Sequence, residues 1–132
     1  MFTDELRTYF DQQLERVLPE LPQQVRDFMN DVPLVVEDYP SPEIMRRMRV
    51  RHRSALCGLY TGIPLTQRSI GHSGVPSDVI HIYRQGIMSQ ARRPGGQIDA
   101  AELQRQIRFT ILHEYGHHVG LTERDLRELG YG

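Results

Sequence analysis

Cysteine is all but missing from this chain: Cys57 stands alone among 132 residues, so no internal disulfide can form. It lies in an apolar run and reads as a buried thiol. No apolar stretch approaches the roughly 20 residues that span a bilayer, so no membrane partner is expected. The start Met1-Phe2-Thr3-Asp4-Glu5 is acidic and lacks the basic opening and apolar stretch of a signal peptide, which predicts a cytoplasmic protein. Excess charge is missing too. A net charge of −1 argues against a chain that grips nucleic acid through its overall charge, and no nucleic-acid partner is expected. Arg46, Arg47, Arg49, Arg51 and Arg53 do cluster, a run that reads as the solvated side of a helix and the turn after it. With neither an internal repeat nor a dividing linker, residues 1–132 read as a single domain around one core.

What is there alternates between helical and strand signals. Thr3 caps an amphipathic helix over about residues 3–18, whose Leu6, Tyr9, Phe10, Leu14 and Val17 recur at helical spacing. Pro19 and Pro22 end it, and Gln23 to Met29 form a second short helix. Leu34-Val35-Val36-Glu37 is a strand closed by Tyr39-Pro40-Ser41-Pro42, with Pro42 opening a helix that runs to Val50. Leu56 to Tyr60 is the second strand, turned by Thr61-Gly62-Ile63-Pro64. Gln67 to Asp78, rich in Gly and Ser, reads as a surface loop, and Val79 to Tyr83 is the clearest strand. Asp99, with Glu102 three residues on, starts a long helix to Val119. Leu103, Ile107 and Ile111 make one apolar row along it while Phe109, Leu112 and Val119 point elsewhere, the pattern of a buried helix.

That helix carries His113-Glu114-Tyr115-Gly116-His117, an HExxH run continued by Gly120 and Glu123. Four residues along a helix rise about 6 Å and turn about 40° beyond one revolution, so both imidazoles share a face and can grip one cation. Glu114 sits about 100° round from His113, beside the ion, where it can deprotonate a water that the metal activates. With this composition an HExxH arises in roughly 2% of shuffled chains; adding Gly120 and an acid or His at 123 lowers that to roughly 0.03%.

A catalytic zinc ion needs a third protein ligand and an open position. Were the helix to continue, residue 123 would lie about 9 Å further along and on another face. Gly120 can end the helix in a left-handed turn and let Glu123 come back to the ion. Asp125 reads as the cap partner of Thr122 in a last helix, and Glu128 as a solvated side chain, yet both remain alternatives for the third ligand. His118 points away from His117, and His52, His72 and His81 read as structural or solvated. Tyr60 and Tyr83 are possible hydrogen-bond donors to a reacting carbonyl, although no spacing supports them.

The stretch HEYGHHVGLTERDLRELGYG closely resembles the C-terminal signature of the small zincin-like metallopeptidases, and LVVEDYP, LCGLYTGIPLTQRS and VIHIYRQGI resemble that family's other landmarks in the same order. The resemblance covers about residues 20–132. It implies an α+β minimal zincin, a short mixed sheet laid over the HExxH helix with flanking helices. The Val79–Tyr83 strand would then offer its edge to an extended peptide. It further implies a zinc-dependent metallopeptidase acting on a peptide or protein substrate, with His113, His117 and Glu123 as ligands and Glu114 as base. One feature departs from the metzincin pattern: all five methionines, ending at Met88, precede the metal run, so no methionine turn follows it. This leaves a second reading, a metal-binding or interaction module of weak or no activity on the same frame.

Overall fold

The computed structural model describes residues 2–62, 78–118 and 122–128, without the side chains of 117, 118, 123 and 126. Its first helix, α1 (Asp4–Val17), begins where Thr3 Oγ1 accepts a hydrogen bond from the Leu6 N–H. A 3₁₀ turn over Leu18–Glu20 follows at the first proline, and α2 (Gln23–Phe28) comes next. Strand β1 (Leu34–Glu37) leads to α3 (Pro42–Met48), capped by Ser41 through the Ile44 N–H. Arg49 closes α3 in the left-handed conformation, at φ 57°. Strand β2 (Gly58–Gly62) is followed by β3 (Asp78–Tyr83), which runs directly into α4 (Arg84–Ala91). The chain ends in α5 (Ala100–His118) and α6 (Glu123–Glu128).

The three strands form a mixed sheet in the order β1-β3-β2, with β3 parallel to β1 and antiparallel to β2. This corrects one expectation. The Val79–Tyr83 segment is the central strand and has no edge to offer; its β-branched run suits the position paired on both sides. Strand alternation sends Ile80 and Ile82 into the core and His81 to the opposite face. There His81 Nδ1 lies 2.6 Å from Glu37 and Nε2 lies 3.2 Å from Thr61, a polar clasp across all three strands. The histidine is structural, as expected.

Helix α5 is the axis of the core, touching β2 and β3 and also α1, α2 and α4. Leu103, Ile107, Ile111 and Leu112 are fully buried, as expected of a helix enclosed on several sides, whereas Phe109 is 37% exposed and Val119 lies outside the described residues. Each such side chain removed from water contributes about 2 kcal/mol. Facing them are Phe10, Val17, Val25 and Ile87. Asp99 caps α5 by accepting the Glu102 N–H, and Thr122 and Asp125 cap α6 reciprocally at 3.1 and 2.8 Å.

Gly86 in α4 presses against the chain that feeds β2. A methyl there would collide with the Leu56 carbonyl and come within 3.3 Å of Cys57 Cα. The expected loop of residues 67–78 lies outside the described residues except for Asp78, which opens β3. Among the described residues no helix is long and apolar enough to cross a membrane.

Candidate active site

The site stands where α5 leaves the core and meets the start of β2. Tyr115, the middle residue of the HExxH run, anchors the helix there: it is fully buried and its hydroxyl donates to the Val32 carbonyl at 2.7 Å. Phe28 meets its ring edge-on, and burial pushes its phenol well above the usual range. With Tyr115 pinned inward, the residues just before it turn to the other side of the helix. His113 and Glu114 line a cleft there.

That cleft has a volume of about 240 Å³. One wall is helical, made by Phe109, Thr110, His113 and Glu114, and the other is Ala55, Cys57 and Gly58. Phe109 stacks on the His113 ring, with centroids 5.7 Å apart and planes 20° from parallel, which limits rotation of the imidazole. Thr110 turns its hydroxyl back to the Gln106 carbonyl at 2.9 Å and leaves its methyl for the wall. Gly58 brings the two walls together. A Cβ built on it would lie 3.0 Å from Thr110 Cγ2, 3.2 Å from the His81 carbonyl and 3.3 Å from Glu114 Cγ. A side chain here would be in tight contact with all three, so glycine suits the close approach of β2 to the Glu114 side chain. Cys57 is half-buried rather than sealed, and desolvation raises its thiol pKa, so it stays protonated.

The sequence had singled out His113 and Glu114, and the structure brings both to one cleft. His117 follows four residues later in the same helix, and Glu123 is the first residue of α6, which contacts α5. The side chains of both lie outside the described residues, as do Gly120, His72 and the side chain of His118. Among the described residues no cluster of three His, Cys, Asp or Glu side chains forms. Asp125 is committed to the α6 cap, and exposed Glu128 pairs with Arg124 at 3.3 Å. The two tyrosines fall elsewhere: the Tyr60 hydroxyl donates to Asp78 at 2.9 Å, and Tyr83 is 1% exposed with its phenol raised to about 12 by burial. Gly58 is the functional residue that the sequence reading passed over. Its signal was a glycine inside a strand pattern, which marks close backbone approach.

The model of the zincin-like metallopeptidase family matches residues 29–132, from just before β1 to the last residue. This chain belongs to that family. No curated protein matches it. For a zincin-like metallopeptidase the matched region is the expected one, since it contains the whole sheet, both walls of the cleft and the HExxH helix. Helices α1 and α2 lie outside the match and serve the core behind α5.

Proposed function

We propose that the protein is a zinc-dependent peptide hydrolase in which His113, His117 and Glu123 hold the ion and Glu114 is the general base. Two imidazoles and a carboxylate are a donor set that suits catalytic zinc and leaves one position open. The oriented ring of His113 at the cleft wall supports that assignment. A bound zinc ion supplies Lewis-acid polarisation of the scissile carbonyl and makes water acidic enough to ionise near neutrality.

The rest is the work of this chain. Glu114, held beside the backbone of β2, accepts the proton of the attacking water on its carboxylate and returns it to the leaving amine. Gly58 leaves no side chain between the β2 backbone and Glu114, so a peptide lying along β2 can bring a backbone carbonyl to that side chain. This approach of the strand to the Glu114 side chain is the single observation that carries the reading.

The test is Glu114→Gln in zinc-loaded protein, scored by digestion of a broad peptide library and by bound metal. Cleavage by the wild type and its loss in the variant, with zinc retained, is the expected result. Cleavage that survives the substitution overturns the mechanism. Stoichiometric zinc without any cleavage by the wild type favours the interaction module instead.

A further inference from the structure

We propose that the outer edge of β2, with the groove between β2 and α3, seats an extended acidic segment carrying an aliphatic side chain, and that such segments are the substrate class. The substrate role rests on the hydrolase reading; the binding surface stands on its own observations.

The first observation is the phase of the sheet. The Tyr83 N–H donates to the Cys57 carbonyl at 2.8 Å, and in an antiparallel pair the bonded residues alternate. Gly58 and Gly62 therefore direct their backbone N–H and C=O groups away from β3. Among the described residues no strand stands beyond β2 on that side. An extended segment can add there by main-chain pairing, and one end of that edge is the Gly58 contact with Glu114.

The second is a pocket of about 160 Å³ on the same edge, lined by the one to four residues after Gly58 along the strand. Its apolar lining is Ile44, Met48 and Leu59, and Met48 is 43% exposed. An aliphatic side chain on the added segment fits there.

The third is charge. Arg47 lines the pocket, and Arg46, Arg49 and Arg51 are exposed on α3 and the turn after it. None of the four is in an ion pair among the described residues, while Arg53 lies over the Tyr39 ring at 4.5 Å. The chain contains no lysine, so its whole positive surface is guanidinium, which binds carboxylates in paired fashion. The apolar pocket and the amide edge favour a peptide over nucleic acid, which offers neither an aliphatic side chain nor a strand to pair.

The probe is a labelled ten-residue peptide with one leucine among aspartates and glutamates, set against the same peptide with lysines and arginines. Binding is read by fluorescence polarisation on the full chain, both wild type and Glu114→Gln. The acidic peptide should bind about tenfold more tightly at about 50 mM salt, and the preference should fade near 1 M. Arg46→Glu with Arg47→Glu should abolish it, and Met48→Asp should weaken it. A preference below about twofold in the wild type overturns the proposal, as does one that ignores salt. A preference that persists in the folded double variant, or displacement of the peptide by an oligonucleotide at lower concentration, does the same. Acidic-peptide binding without cleavage by the zinc-loaded wild type removes the reaction and keeps the seat. Equal cleavage of both peptides keeps the reaction and removes the seat.

Discussion

Gly58 shows how much one missing carbon does at this site. A Cβ on it would meet a side-chain methyl, a backbone carbonyl and Glu114 Cγ, and the carbonyl belongs to the central strand β3, which is held by pairing on both sides. Gly58→Ala should therefore push the Glu114 side chain out of line and cost about 1 kcal/mol of stability. Denaturant unfolding checks the second effect, and peptide hydrolysis at unchanged zinc content checks the first, with a fall of about tenfold expected. Tyr115 works in the opposite way, by filling space and closing a bond. Tyr115→Phe keeps the ring against Phe28 but leaves the Val32 carbonyl without its donor, a loss of about 1–2 kcal/mol visible in a thermal melt.

Among the elements, α5 depends on its first turn. Asp99 accepts the Glu102 N–H at 3.1 Å, so Asp99→Ala should cost about 1 kcal/mol, and circular dichroism during unfolding would measure it. That cap was legible in the sequence, as were the Thr122–Asp125 box, the bounds of β1 and the buried row of α5. Each is local chemistry: a short polar side chain three residues from an orphan amide, or apolar residues at one period. Helix α4 was not legible. No side chain caps its start, Gly86 sits inside it, and it exists because Gly86, Ile87, Met88 and Ala91 are buried against other elements. The central place of β3 was hidden for a similar reason, since strand order follows from pairing between distant segments. Strand β2 starts two residues later than its apolar run implied and takes in Thr61 and Gly62, whose pairing with β3 overrides their turn character. At the site, helical spacing pointed to His113 and Glu114, while the Gly58 wall depended on how β2 docks onto α5.

Across the whole molecule, Asp38 ties three parts together. Arg7 of α1 donates to it at 2.8 Å, Arg84 of α4 at 3.0 Å, and its backbone carbonyl accepts the Gln85 N–H at 2.9 Å. The hydrogen bond from Arg7 is the largest cause holding the carboxyl below its ordinary 3.8, against the cost of burial. With the folded value depressed, the folded state binds fewer protons than the unfolded one. The stabilisation is complete above the unfolded value and is lost as pH falls through the folded one. Asp38→Asn should be less stable at neutral pH by about 1 kcal/mol, given partial exposure. The gap to the wild type should narrow as the medium is acidified, which urea titrations at several pH values will show.

The seam between Gly86 and Leu56 acts as a backstop for the cleft. Helix α4 lies so close to the peptide unit between Leu56 and Cys57 that a Cβ on Gly86 would overlap the Leu56 carbonyl oxygen, so that lip is backed by packed main chain. A ligand entering the opening therefore meets a backed lip on one side and, on the other, the half-exposed Phe109 ring, the wall residue with most room to turn aside.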